Sequence, residues 1–214
     1  MTKEAQPINT VRRSDRAVED DAWIKAFLHR APVGVLATVS DDQPFINSNL
    51  FVYDEISNVL YIHTARKGRT RDNVEAGTVG PSGGLRTDRP EQTEPAKVCF
   101  HIFEMGRLLP ADEALEFSVE YGGVTVFGRA SVVSDREEAR EWLQRLLDKY
   151  APHLHAGDDY RPPVPEELVR TTVFRLDIDS WSGKKKEVEE DFAGAFWYPE
   201  QPILTSVRTR SSNP

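Results

Sequence analysis

The segment Gly34-Val-Leu-Ala-Thr-Val-Ser40, Asp41-Asp42, Pro44-Phe-Ile-Asn-Ser-Asn-Leu-Phe-Val-Tyr53, Asp54-Glu-Ile-Ser-Asn58, Val59-Leu-Tyr-Ile-His-Thr64 reads as three strands joined by two tight turns. β-Branched and aromatic residues fill the runs, and the Asp, Ser and Asn residues between them suit turn geometry. No helical period separates the runs, so the first half of the chain opens as an antiparallel meander.

Upstream, Trp23, Ile24, Phe27 and Leu28 recur at helical spacing behind Asp20 and Asp21, and Pro32 stops that helix. Residues 1–17 form a polar, basic arm, expected to pack on the barrel or on a partner subunit. Downstream, Arg66 to Glu75 has no β pattern and is expected to be helical, and residues 77–95, rich in Gly, Pro, Thr and charge, read as a loop insertion. Strand pattern resumes in Val98 to Glu104 and in Val119 to Val133, with Gly122, Gly123 and Gly128 as expected bends. Ala139, Trp142, Leu143, Leu146 and Leu147 make one stripe of a helix over 136–150, capped by Asp135. A proline-rich loop and a short helix around Glu166 to Val169 lead into a last strand, Thr172 to Trp181, whose apolar residues do not alternate cleanly. The order contains no βαβ repeat, which favours an antiparallel barrel with peripheral helices over a doubly wound sheet. The expected organisation is an arm (1–17), one barrel domain (18–198, with the insertion at 77–95) and a tail (199–214).

With 214 residues, 39% of them hydrophobic, the chain can bury a real core. A net charge of −8 argues against general affinity for nucleic acid, so any phosphate site must be local. The single Cys99 lies between Val98 and Phe100, reads as an apolar strand residue and implies a reducing compartment; with no apolar leader and no run long enough to span a membrane, the reading is cytoplasmic.

Walker A, G-x-G-x-x-G, H-E-x-x-H, paired C-x-x-C and G-x-S-x-G signatures are all missing. His153 and His155 near Asp158 and Asp159 have a spacing that an extended backbone can turn to metal, but solvated loops commonly look the same, and no metal is assigned. The richest segment is His63-Thr-Ala-Arg-Lys-Gly-Arg-Thr-Arg71: a strand ends in a hydroxyl residue, and Arg66, Lys67, Arg69 and Arg71 follow around Gly68. This is the equipment for a phosphate dianion, and equally the composition of an exposed basic turn. A second cationic cluster, Ser180-Trp-Ser-Gly-Lys-Lys-Lys186, closes the last strand, where Trp181 can wall a planar ring or the lysines can simply be a solvated end.

Taken in order, Val35-Leu-Ala-Thr-Val, Asn47-Ser-Asn-Leu-Phe-Val-Tyr, Leu60-Tyr-Ile-His-Thr-Ala with Gly68, Lys97-Val-Cys-Phe, Tyr121-Gly-Gly-Val-Thr-Val-Phe-Gly-Arg-Ala, Lys149-Tyr and Ser182-Gly-Lys-Lys resemble the pyridoxamine-phosphate-oxidase-like flavoproteins. Among these the chain is most similar to the branch of the Nim nitroimidazole-resistance proteins, over roughly residues 15 to 190. The resemblance implies a mainly β, six-stranded antiparallel split barrel that forms a homodimer and binds FMN at the subunit interface. It implies that Asn47, Ser48 and Asn49 lie along the isoalloxazine edge, that His63, Thr64 and Ala65 line the flavin, and that Arg69, Thr70 and Arg71 hold its phosphate. Lys184 or Lys185 would approach from the second cluster, and Tyr121, Gly122, Gly123 and Val124 would border the substrate or the dimer contact. The insertion at 77–95 departs from the branch, and the chain lacks the Arg-Leu-Ala-Pro type of ending found in true pyridoxamine-phosphate oxidases, so that substrate is not assigned.

On this basis the expected activity is an FMN-dependent oxidoreductase passing electrons from NAD(P)H to a small acceptor, a nitro compound or quinone-like molecule, with His63 as the group able to exchange protons near neutral pH. Two alternatives stand beside it: a non-catalytic flavin-binding or redox-sensing dimer, and a split barrel that uses a deazaflavin or haem.

Overall fold

A computed structural model describes residues 6–77 and 95–198. The insertion expected at 77–95, apart from its two end residues, and the tail at 199–214 lie outside the described residues.

The strands are β1 (Ala17–Val18), β2 (Gly34–Ser40), β3 (Gln43–Asn49), β4 (Phe51–Asp54), β5 (Val59–Ala65), β6 (Ala96–Leu109), β7 (Ser118–Val132) and β8 (Thr171–Lys186). Three helices accompany them: α1 (Asp21–Arg30), α2 (Arg69–Ala76) and α3 (Arg136–Tyr150). All eight strands belong to one sheet with the order β3-β2-β6-β7-β8-β5-β4, and β1 adds to β8. Every pairing between these strands is antiparallel.

The two end strands of that order, β3 and β4, are consecutive in the chain and separated only by Leu50. Such a link forces the sheet to curl until its ends approach, which makes the sheet a barrel split between β3 and β4. The sequence runs Pro44 to Tyr53 without a turn residue, and the division at Leu50 arises because residues up to Asn49 pair with β2 while those from Phe51 pair with β5. Eight strands replace the six expected because β3 and β4 count separately and the arm contributes β1.

β8 reaches Lys186, so the Lys184–Lys186 cluster lies within the last strand and not after it. Its first half, Thr171 to Asp177, pairs with β5, while Gly183 and Lys184 pair with β1. Between these halves the β7–β8 register shifts: Phe127 faces Ser180 and Gly128 faces Ile178, leaving Asp179 as the extra residue of a bulge. The bulge is the corner at which β8 changes neighbours.

Phe27, Leu36, Phe51, Leu60, Phe100, Ile102, Val126 and Phe174 form the barrel core, with α1 packed against it through Ile24 and Leu28. A second cluster seats α3 on the outside of β5, where Trp142 stacks on Tyr61 at 3.8 Å and 10°. Asp135 caps α3 by accepting from the N–H groups of Glu137 and Glu138. The arm is tied down by Asn9, which donates to the carbonyl of Trp181, and Trp181 Nε1 donates to Asp21 Oδ1. Trp181 therefore anchors α1 and the arm. The short helix expected near 166–169 is a single 3-10 turn, Glu167–Val169.

At the far end of the β6–β7 hairpin, Arg107 and Glu120 form a largely buried, two-toothed pair at 2.8 Å. Arg107 also donates to the carbonyls of Val188, Glu189 and Glu190, and Glu120 accepts from the N–H of Val188. This pair holds the segment that follows β8 against the hairpin.

Candidate flavin site

β3, the end of β5 and the first turn of α2 meet at one place. Asn47 Nδ2 lies 3.4 Å from Thr70 Oγ1 and 3.3 Å from Asn49 Oδ1, and Asn49 Nδ2 donates to the Asn47 carbonyl at 2.7 Å. Asn49 and Thr70 are buried. One turn further, Asn73 Nδ2 donates to Thr38 Oγ1 at 2.8 Å and fastens α2 to β2. The amides of β3 and the hydroxyl of α2 are thus held as one polar set.

The start of α2 suits an anion. No side chain caps it, and the first N–H to bond back is that of Asp72, to the Gly68 carbonyl. The N–H groups of Arg69, Thr70 and Arg71 are left without a helical acceptor, at the positive end of the helix dipole. Gly68 has φ of +150°, and nothing lies within 4 Å of where its Cβ would be, so a ligand can come close to the backbone there. The Arg69 guanidinium lies 5.1 Å from the ring centroid of Phe45, and no carboxylate among the described residues pairs with it. Its charge is held over β3 and remains available.

Arg71 differs. Its Nε and Nη2 engage Glu75 and its Nη1 reaches the Arg66 carbonyl and Thr172 Oγ1, so its guanidinium serves the joint between α2 and β8. Thr70 is buried against Asn47, while Arg69 has no carboxylate partner among the described residues.

His63 is exposed on the outer face of β5, and surrounding protein removes enough water to draw its pKa below the usual value, keeping it neutral at pH 7. Thr64, half-buried, donates to the Ala65 carbonyl, and Ala65 is exposed. Ser48 is exposed opposite Val35.

The second cationic cluster is elsewhere. Lys184 pairs with Gly123 and Ala17, and some 40 Å of strand separates it from the Ala65–Thr171 pair beside α2. Lys184 Nζ stands 5.9 Å from the ring centroid of Tyr121, and Lys185 pairs with Glu187. Within one chain, neither lysine joins Arg69. Of the four β7 residues, Val124 is fully buried in the core and Gly122 is covered by Phe27 and Trp23 of α1. Tyr121 is half-buried and hydrogen-bonded by Arg16 of the arm, and Gly123 lies beside His101 and Phe103 on the outer face.

Sequence reasoning passed over Phe45, Thr38 and Asn73. Phe45 reads as an ordinary strand residue because its cationic partner lies beyond two further strands; Asn73, three residues after Thr70 on the same helix, carried a usable signal in its spacing.

This geometry defines a split barrel with an anion-suited helix start beside a polar strand end. The family model described as pyridoxamine 5'-phosphate oxidase matches residues 20–185, and the chain belongs to that family. No curated protein matches the chain. Among solved structures, the flavocytochrome Anf3 from Azotobacter vinelandii superposes with a TM-score of 0.65 at 22% identity, covering 96% of this chain and 91% of that one. An FAD- and haem-binding protein from Mycobacterium smegmatis gives 0.65 at 21% identity, covering 81% and 74%. A protein provisionally described as a 5-nitroimidazole antibiotic resistance protein from Bacteroides thetaiotaomicron gives 0.58 at 16% identity, covering 80% and 90%. These likenesses establish the shared fold. No described helix is long and apolar enough to cross a membrane.

Proposed function

We propose that this chain is an FMN-binding oxidoreductase, working as a homodimer, that moves electrons from NAD(P)H to a small nitro or quinone-like acceptor. The observation that carries the reading is the uncapped start of α2 with Arg69 unpaired above Phe45, beside the amides of Asn47 and Asn49. One such cradle among the described residues matches the single phosphate of FMN better than the two of FAD. Flavin supplies the chemistry, exchanging a hydride at N5 with donor and acceptor. Arg69 and the N–H groups of the first turn of α2 hold the phosphate, and Asn47, Ser48 and Asn49 orient the ring edge. His63, neutral at pH 7, can accept a proton near the flavin.

Exposed apolar residues support the homodimer. Val39, Ile46, Phe103 and Met105 are 45–66% exposed and share the outer face of β3, β2 and β6. A second copy covering that face would remove this surface from water and could bring its Lys184, which stands on the same side of the sheet, to the first copy's flavin. Phe103→Glu should then yield a monomer in analytical ultracentrifugation, with flavin binding weakened in parallel. A dimer of unchanged affinity would refute this interface.

Purified protein tests the whole reading. A yellow protein that releases FMN on heating, is bleached by NAD(P)H and regains colour with a nitro acceptor supports it; bound flavin that NAD(P)H leaves oxidised favours a binding or sensing dimer. Arg69→Ala should weaken FMN by about 1.5–3 kcal/mol, the range for hydrogen bonds to charged groups, or roughly 10- to 150-fold in Kd by fluorescence titration. An unchanged Kd would place the phosphate elsewhere.

Haem is the second reading, favoured by His101. Its Nδ1 lies 2.9 Å from Thr125 Oγ1 on the apolar outer face, and partial burial lowers its pKa. With the proton on Nδ1, Nε2 would be the atom of His101 able to hold a haem iron. A Soret band in place of a flavin spectrum would establish it.

A further inference from the structure

The last turn of α3 grips the junction between β3 and β4. β4 is the end strand of the sheet, and Phe51 presents both its backbone groups to α3: its N–H donates to Tyr150 Oη at 3.0 Å, and its carbonyl accepts from Lys149 Nζ at 3.0 Å. Lys149 also donates to the Ala31 carbonyl at 3.0 Å, and Tyr150 Oη to the Pro32 carbonyl at 2.8 Å, with the Phe51 carbonyl 3.1 Å away. The two side chains tie Phe51 to the end of α1 while the ammonium sits 3.9 Å from the Phe51 ring centroid.

Upstream of this grip lies the polar set of the candidate site. Leu50 belongs to no strand, Asn49 is buried and bonded to the Asn47 carbonyl, and Asn47 reaches Thr70. Residues 47–50 are therefore held at one end by Thr70 and at the other by Phe51.

We propose that Lys149 and Tyr150 are positioning residues for the flavin: by fixing the Phe51 peptide they set the placement of Asn47, Ser48 and Asn49 along the ring edge. This rests on the flavin reading given above. Lys149 is held by carbonyls and a ring face. No carboxylate among the described residues pairs with it, and burial pulls its pKa down to about 8. Its folded pKa lies below the usual 10.5, so the unfolded chain holds the proton more tightly between those values. Stability contributed through this group thus rises as pH climbs from about 8 to 10.5, and at neutral pH the buried charge opposes folding.

The test uses full-length Lys149→Met and Tyr150→Phe proteins, with FMN titrated by fluorescence and amide hydrogen exchange followed across the chain. The expected result is FMN affinity lower by roughly tenfold or more, exchange accelerated at residues 47–51, and exchange of the β7 and β8 amides unchanged. Unaltered affinity, or weakening matched by faster exchange throughout the core, would overturn the proposal. Should the wild-type protein take no flavin, the flavin reading fails separately, and exchange at 47–51 still decides whether the grip fixes the strand: acceleration supports it and no change overturns it.

Discussion

Gly128→Ala should destabilise the fold by about 3 kcal/mol, near the upper end for overpacking, measured as a lowered urea midpoint with an unchanged m-value. A Cβ at this position would lie 2.1 Å from the carbonyl oxygen of Asp177 and 2.8 Å from Leu176 Cδ2. The first of these is backbone, so no rotamer change relieves it. The residue stands at the bulge where β8 passes from β5 to β1, and a shift there moves the register of both halves of the strand. By contrast, Gly123→Ala meets its nearest atom, the Ile102 carbonyl oxygen, at 3.3 Å and should be much milder. Equal losses at the two sites would mean that the bulge does not set the corner.

Glu120→Gln should lower the urea midpoint, because it takes the counter-charge away from the Arg107 guanidinium. The effect has a defined pH dependence. The side-chain hydrogen bonds from Arg107 come first in holding the Glu120 carboxyl at a pKa of about 2, against the usual 4.5; the N–H groups of Val188 and Arg107 add to them, and the charge of Arg107 adds least. A carboxyl whose folded pKa is depressed contributes fully above 4.5 and loses that contribution as pH falls toward about 2. The gap between wild type and variant should therefore be flat near neutral pH and close across that acid range. Limited proteolysis of the variant should also cut within 187–198, the segment whose carbonyls Arg107 holds. A gap that persists at low pH would locate the loss in packing instead of charge.

The most legible parts of the sequence were those governed by local rules. The stripe and the Asp135 cap give α3 its observed span, and Asn58, with φ of +55°, closes the turn before β5 as the Asp-Glu-Ile-Ser-Asn segment suggests. Less legible were features set by distant partners. Leu50 carries no turn signal, and its break follows only from which strands pair on either side. The lysines at 184–186 look like a solvated end because their strand status depends on β1 and β7 lying alongside them. In the site, Arg71 was separable in principle: Glu75 follows it at i+4 on the same helix and captures it. Asp72 follows Arg69 at i+3 without forming an ion pair with it, and the perch of Arg69 on Phe45 needs β3 and α2 to be brought together first. The grip of Lys149 and Tyr150 was visible only as two adjacent residues ending a helix, since every group they hold is backbone.

The position of β8 also bears on how the chain folds during synthesis. β5 and β7 both depend on this last strand for an edge partner, and β1 pairs with it from near the opposite terminus. At 5–20 residues per second, β8 emerges about 5–20 s after β5 has been made. During that interval the edge of β5 has no partner, and the meander that opens the chain is the part most exposed to pairing with another molecule. Long-range closure of this kind slows folding, so the nascent barrel would depend on protection of β5 until residue 186 has left the ribosome.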